Sequence, residues 1–302
     1  MTLASIRRKV KRNFGKIVMW IILGIVMFVT LFPLWWVLRT ALSAPKMVYF
    51  NIDQLLPVQT TFDNFLRVTG LMDPAKALEI SGSQSSVDFS LAFRNTVLFA
   101  GIITFSQVFF SSMAAYAFAR LDFPMRNFIF GLYISALMVP FIVTLIPNFI
   151  LIRTLGWVGT MQGMVAPFLL MTPFAVFYLR QFFLGINREI EEAAKIDGAS
   201  TFTTFWRIIL PVSRAPLMTL AVITFIAYWN EYLWPLVVGG SRPETRIMTV
   251  ALGIFRSQNP SQGAPDWSAL MAAAILAIIP VVILLIVLGR RLLNSIQFTG
   301  IK

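Results

Sequence analysis

The sequence predicts an all-α polytopic membrane protein with six transmembrane helices, and three observations carry that reading. Of its 302 residues, 58% are hydrophobic and 13% are charged, with a mean hydropathy of +0.78. Soluble chains average about 45–50% apolar and about 25% charged residues, so this chain lacks the polar surface of a water-soluble fold. Six apolar stretches reach the roughly 20 helical residues needed to cross a hydrocarbon core about 30 Å thick. Cysteine and histidine are both absent. That excludes disulfides, thiol nucleophiles, imidazole acid–base chemistry and the usual zinc and haem ligands, so no metal site and no catalytic residue is expected.

The first stretch, residues 17–38, follows a basic N-terminus holding Arg7, Arg8, Lys9, Lys11, Arg12 and Lys16. A secretory signal begins the same way. This run is too long for a signal core, contains Phe32-Pro33-Leu34-Trp35-Trp36 and lacks a small-residue cleavage site. It reads as an uncleaved membrane helix. The other five stretches are residues 93–119, 127–152, 163–183, 215–238 and 267–289. Pro33, Pro140, Pro147, Pro167, Pro173, Pro235 and Pro280 fall inside the six. Membrane helices tolerate such residues where neighbours satisfy the freed backbone groups.

An even number of spans places both termini on one side. With the N-terminus in the cytoplasm, sixteen Lys/Arg fall inside and seven outside, with Arg39 and Arg94 at outer helix ends. The net charge of +12 and pI of about 10.6 would suggest nucleic acid in a soluble protein. Here the distribution follows the positive-inside rule, so the partner is the lipid bilayer and no nucleic acid is expected. The predicted organisation is a cytoplasmic tail at 1–16, a first helix at 17–38, an extracytoplasmic loop at 39–92, a five-helix core at 93–289 and a cytoplasmic tail at 290–302. The outer loop mixes Pro, Gly, Ser and acidic residues with few aliphatics, which argues against an independent domain. Its run at 81–86 reads as a flexible tip.

The cytoplasmic loop at 180–214 is dense in charge and in helix formers. Asn187 is a good N-cap for Glu189–Ile196, with Glu189 and Glu191 in the positively polarised first turn. Glu191 and Lys195 are spaced to pair on one face. Gly198 is a natural C-terminal stop. Ser200 can cap a second helix from Thr201 to Leu210, closed by Pro211. Ala193 and Ala194 give the first helix a slim face suited to another protein's cleft. The simpler account is a solvated interhelical loop. The spacing decides against it: Glu192-Ala193-Ala194, three residues, Gly198, nine residues, Ile208, one residue, Leu210-Pro211. This pattern resembles the EAA motif of ABC importer permeases.

The rest of the chain agrees with that resemblance. Ala115 to Pro124, reading AYAFARLDFP, is similar to the end of the second helix in sugar-type permeases, which include the maltose permease subunits. Phe62-Asp63-Asn64-Phe65 resembles their outer-loop motif, and Trp229-Asn230-Glu231-Tyr232-Leu233-Trp234-Pro235-Leu236 their fifth helix. Asp266-Trp267 through Pro280, with Arg290-Arg291 and Gly300-Ile301-Lys302, resembles the sixth helix and tail of the MalG-like half. The outer loop around 71–86 is longer than usual, and the family's usual final glycine is missing.

The resemblance implies a type I ABC importer fold. It also implies a second homologous permease subunit in a heterodimer, two ABC ATPase subunits, and an extracytoplasmic solute-binding protein. The location implied is the plasma (inner) membrane of a bacterium or archaeon. It assigns ATPase coupling to Glu191, Glu192, Ala193, Ala194, Asp197, Gly198, Ala199, Leu210 and Pro211. The solutes of such permeases are mono- and oligosaccharides, polyols and glycerol phosphates. ATP chemistry needs a Gly-rich phosphate loop with Lys and Ser/Thr. Gly15-Lys16 is followed by Ile17, so the chain is expected to bind no cofactor itself, and ATP-Mg is used by the partner ATPase.

Polar residues within the spans mark a candidate solute path. Glu231 is the only carboxylate predicted inside the membrane, where charge is expensive and commonly functional. About 16 residues into the fifth helix, it would stand roughly 24 Å from that helix's start. Anchoring in outer headgroup water is an equal alternative. Asn148 and Asn230 are candidate hydrogen-bonding groups, with Gln107 and Tyr228 behind them. Tyr228, Trp229 and Tyr232 could stack on sugar faces, although Trp and Tyr concentrate at membrane interfaces in any case. A secondary transporter or channel for a small polar solute is the competing reading, but a lone Glu231 without a basic partner supports it poorly. An intramembrane enzyme would need a nucleophile–base pair that the sequence lacks.

Overall fold

The computed structural model of the chain describes residues 3–81, 87–240, 242–257 and 265–297. The loop tip at 82–86 and the tail Gly300-Ile301-Lys302 lie outside the described residues. Every regular element among the described residues is helical. α1 (Leu3–Ala41) is a single helix of 39 residues with Pro33 inside it; its basic N-terminal stretch is helical and continuous with the candidate span Gly15–Ala41. Residues 15–35 of α1 are exposed along their length, as apolar side chains facing lipid would be. α4 (Phe89–Arg120) is the second predicted span, preceded by α2 (Asp63–Val68) and α3 (Pro74–Ser81). Asp88 caps α4 by accepting from the Leu91 N–H at 2.9 Å.

Three predicted spans, the third, fourth and fifth, are broken rather than straight. The third consists of α5 (Arg126–Ser135), a 3₁₀ turn at Ala136–Met138 and α6 (Phe141–Thr154), bent by 95°. Pro140 supplies the cause. A residue before proline is pushed out of the helical region, and Val139 sits at φ −86°, ψ 110°. The fourth consists of α7 (Met161–Val165), a 3₁₀ turn and α8 (Pro173–Leu184), bent by 48°. Thr172 caps α8, and Pro173 occupies its first position, where no N–H is needed.

The loop helices follow: α9 (Glu189–Ile196), α10 (Thr201–Thr204), a π-helical turn at Phe205–Ile209 and α11 (Leu210–Val212). The predicted fifth span at 215–238 is two helices, α12 (Arg214–Trp229) and α13 (Leu233–Gly239). α14 (Met248–Ser257) and α15 (Trp267–Gln297) complete the order, and α15 contains the sixth predicted span. By length and apolarity three helices can each cross a membrane, and three bent pairs bring the number of crossings up to six. The last of those pairs joins Thr201–Val212 to α12 at 77°.

The chain divides into two compact units. The first comprises Met1–Ser86 and Ile254–Leu276, where buried polar ties add to small buried apolar residues such as Val68, Ala269 and Ala272. Arg39 is buried, donates from Nε to the Gln54 carbonyl at 3.1 Å and stacks 5.0 Å from the Trp36 ring centre. Asn64 is fully buried and donates to the Ala41 and Ser43 carbonyls, each at 2.8 Å. Arg67 forms a buried ion pair with Asp266. Asp266 also caps α15 by accepting from the Ala269 N–H at 3.1 Å. Burial and the nearby Asp266 carboxylate raise the pKa of Tyr49, whose hydroxyl donates to the Pro265 carbonyl.

The second unit comprises Val87–Gly253 and Ala277–Lys302, and two apolar clusters lie in it among the described residues. One gathers Phe99 and Ile103 of α4 with Met164, Trp234, Val238 and Ile247. The other gathers Ala115, Tyr116 and Ala119 of α4, Leu179 and Phe183 of α8, and Phe205 and Ile209 of the π turn. The small Ala115 and Ala119, one helical turn apart, let α4 and α8 approach closely. The loop that follows α8 is built on this second cluster.

Candidate coupling site

Local chemistry writes the start and stop of α9. The N-cap of α9 is Arg188, with no side-chain cap bond, so Asn187 is not the cap the sequence predicts; one residue earlier, its Oδ1 accepts from the Glu189 N–H at 3.1 Å and its Nδ2 donates to Glu189 Oε2 at 3.0 Å. Glu189, Glu191 and Glu192 occupy the first turn, where helix N–H groups favour negative charge. At the other end Gly198 has φ +80°. The Ala199 N–H bonds to the Ala194 carbonyl at 2.9 Å and the Gly198 N–H to the Lys195 carbonyl at 3.0 Å. Those two bonds are the Schellman pair that closes a helix on a left-handed residue. A Cβ on Gly198 would meet nothing within 4 Å, so the demand for glycine there lies in the backbone alone. Ser200 then caps α10 by accepting from the Thr203 N–H at 3.2 Å.

Beyond Ser200 the expectation needs correcting. Pro211 does not close the second helix; it sits inside α11 and the segment runs on to Val212. Proline has no N–H and crowds the carbonyl four residues back. The π turn at Phe205–Ile209 directly precedes it, and its wider spacing relieves that conflict.

The faces of α9 also divide differently from the prediction. Ala194 and Glu191 are buried, while Glu192, Ala193, Asp197 and Gly198 are exposed. The slim face is therefore split, with Ala194 turned toward the chain's own core. Glu191 does not pair with Lys195. Its Oε1 lies 2.8 Å from Arg120 Nε, and its Oε2 accepts from the Tyr116 hydroxyl at 3.0 Å. Arg120 Nη2 also donates to the Phe183 carbonyl at 2.6 Å and to the Ile186 carbonyl. A second cation, Arg180, stacks 4.2 Å from the Phe130 ring centre and donates to the Phe118 carbonyl at 3.2 Å. The outward surface carries Glu192 and Asp197 beside large apolar side chains, with Ile196 86% and Phe202 64% exposed. Ala199, Leu210 and Pro211 are half-buried.

Tyr116 and Arg120 were legible only as part of a family pattern and as one more inside charge. The available signal was their spacing. Residues 116 and 120 share one face of α4 with Ala119 close by, and Arg120 is that helix's last residue.

Residues 107–297, a stretch that includes this whole arrangement, match the family described as "Binding-protein-dependent transport system inner membrane component". The chain belongs to this family. It is 32% identical over 277 residues to the sn-glycerol-3-phosphate transport system permease protein UgpE of Salmonella typhi, covering 91% of this chain and 93% of that one. It is 38% identical over 207 residues to UgpE of Yersinia enterocolitica serotype O:8, covering 68% of this chain and 72% of the relative. Its fold matches a chain of a bacterial ABC transporter involved in the import of the acidic polysaccharide alginate. The TM-score there is 0.75 at 24% identity, over 92% of this chain and 96% of the other. The protein is thus an inner-membrane permease subunit with the type I ABC importer fold, a transport component that works with an ATPase and a solute-binding protein.

The permease's predicted path residues lie on several elements. Glu231 lies in the break between α12 and α13, not within a helix. Its Oε1 accepts from the Trp234 N–H at 3.3 Å, which caps α13, and its carbonyl accepts from the Thr249 hydroxyl at 2.6 Å. Asn230 is exposed and folds its Nδ2 back onto the Ile226 carbonyl at 2.8 Å. Tyr228 accepts from Gln107 Nε2 at 2.7 Å and packs against Phe99 and Phe168. Trp229 is buried, with its indole N–H on the Ala277 carbonyl at 3.1 Å, so its ring is not free to stack on a sugar. Asn148 lies on α6 and, among the described residues, makes no hydrogen bond to the other three.

Proposed function

We propose that this permease is one of two non-identical membrane halves of an importer for a polyhydroxylated, carbohydrate-type solute. The names of its relatives, which concern glycerol phosphate and an acidic polysaccharide, support a solute of that class. Two ATPase subunits bind beneath the pair and use ATP-Mg, since this chain carries no phosphate loop of its own. An extracytoplasmic binding protein delivers the solute. Both termini face the cytoplasm of a bacterial or archaeal cell.

One observation carries the coupling role. The α9–Gly198–α10 unit is anchored inward through Glu191 and Ala194 and presents Glu192, Ala193, Ile196, Asp197 and Phe202 outward. Exposed apolar groups rimmed by carboxylates mark a docking surface. Gly198 and Ala199 form the turn between the two short helices, and Leu210 and Pro211 follow the second in α11. On the solute side, Asn230 and Glu231 at the helix break are the favoured path residues, with Tyr228 and Asn148 as supporting positions.

Reconstitution tests this reading. The chain is purified with its neighbouring permease and ATPase, placed in proteoliposomes and supplied with the neighbouring binding protein. Uptake that requires ATP, the ATPase and the loaded binding protein is expected. Uptake by this chain without the ATPase would overturn the reading in favour of a secondary transporter.

A further inference from the structure

We infer that Arg120 and Glu191 are positioning residues that clamp the coupling helix to α4, so that α9 and α4 move as one body during transport. This rests on the coupling role proposed above. α9 has only 8 residues, and isolated helices shorter than about 12–15 residues are marginal on their own. A helix that passes movement from one chain to another needs a stiff attachment to what it moves. Here that attachment is polar and buried. The side chains of Arg120 and Glu191 are 5% and 9% exposed. One guanidinium ties the last residue of α4 to Glu191 and to carbonyls at the end of α8, while Tyr116 holds the second carboxylate oxygen.

The geometry divides the labour within the clamp. Among the described residues neither Arg120 Nε nor Glu191 Oε1 has a hydrogen-bond partner, although the two atoms lie 2.8 Å apart. That contact is charge on charge. The directional bonds come from the Tyr116 hydroxyl and from Nη2 to the carbonyls. Removing one charge would leave the other buried and unpaired. Removing both, with apolar replacements of similar size, is often neutral for a fold. Ala194, Phe205 and Ile209 already give this segment an apolar attachment. A pair serving stability alone would therefore be replaceable, and one serving rigid transmission would not.

The experiment uses the complete transporter in proteoliposomes. In Arg120→Met/Glu191→Leu, abundance and ATPase co-purification should stay near those of the unaltered chain. Solute taken up per ATP hydrolysed should fall by about 5- to 150-fold, the span of ordinary coupling between sites. A double variant that couples uptake to hydrolysis normally overturns the inference. A second measurement does not depend on that variant's accumulation. Because the chain has no cysteine, nitroxide labels at introduced Leu121→Cys and Arg188→Cys, both exposed positions, can report the spacing of α4 and α9 with the clamp intact. The same label separation in nucleotide-free and ATP-bound transporter is expected. A separation that changes with nucleotide overturns the clamp even if coupling holds. Loss of ATPase binding by the unaltered chain would instead defeat the coupling reading itself.

Discussion

The turn between α9 and α10 and the break between α12 and α13 both interrupt helices, yet they are held by opposite means. The first is written locally. Asn187, Gly198 and Ser200 each act on groups within five residues, through a side-chain turn at Asn187, a glycine at φ +80° and a side-chain cap at Ser200. The second starts from Pro235, which cannot bond the Glu231 carbonyl four residues back, and it is fastened mainly from afar. Thr249 bonds the Glu231 carbonyl across 18 positions, and the Trp234 indole bonds the Met164 carbonyl across 70 positions at 2.9 Å. A locally written turn can survive loss of its neighbours and serve as a detachable contact surface. A tertiary break exists only while the surrounding helices are in place, so it can respond when they shift.

The largest expected effect attacks the tertiary break. Trp234 is fully buried, and Trp234→Ala should cost about 3–5 kcal/mol, as large aromatic truncations in cores do. Thermal unfolding in detergent would register it as a strong loss. Phe202→Ala, on the exposed side of the coupling turn, should change stability by no more than about 0.5 kcal/mol and weaken ATPase co-purification instead. Equal stability losses at the two sites would break the comparison.

A middle-sized effect is expected at Gly198. A residue with a Cβ pays about 1–2 kcal/mol to enter the left-handed region, and the open space around the position adds no clash. Gly198→Leu should therefore insert and accumulate, while ATPase co-purification and binding-protein-stimulated hydrolysis fall as the two short helices lose their mutual angle. Normal assembly and transport would remove Gly198 from the coupling role. Ser200→Ala should be milder, near the typical cap value of about 1 kcal/mol, because Phe205 and Ile209 still fasten the segment to the core. Hydrogen exchange at the Thr203 amide would report it directly.

The same contrast explains what could be read in advance. Gly198 and Ser200 were legible because cap and stop chemistry depends on the residue and its immediate neighbours, whereas the start of α9 falls one residue past the predicted cap Asn187, at Arg188. The six apolar stretches were legible because hydropathy follows composition. The break at 230–232 has one local signal, Pro235, which has no N–H for the Glu231 carbonyl four residues back, but Leu233, Trp234, Leu236 and Val237 continue the apolar run of α12 and mask it. Pro140 was seen, but its 95° consequence depends on how α5 and α6 pack. The inward turn of Glu191 was hidden for a further reason. Lys195 offers a partner on the same helix, whereas Arg120 lies far away in sequence and meets Glu191 only through the fold.

The smallest expected effect, at Glu231, gives the sharpest test. As a cap, the residue needs only an oxygen that accepts from the Trp234 N–H, and Glu231→Gln keeps that oxygen. What it removes is charge at the start of α13, worth about 0.3–1 kcal/mol beside a helix N-terminus. Abundance should therefore hold, with at most a slight fall in melting temperature. Uptake measured in the same cells then isolates the charge. A fall in uptake at constant abundance would keep Glu231 on the solute path, since the break itself would be intact. Unchanged uptake would leave it as a cap and remove it from the path. A marked loss of abundance would mean that the charge itself holds the break, and that the distant bonds from Thr249 and Trp234 are insufficient to hold it without that charge.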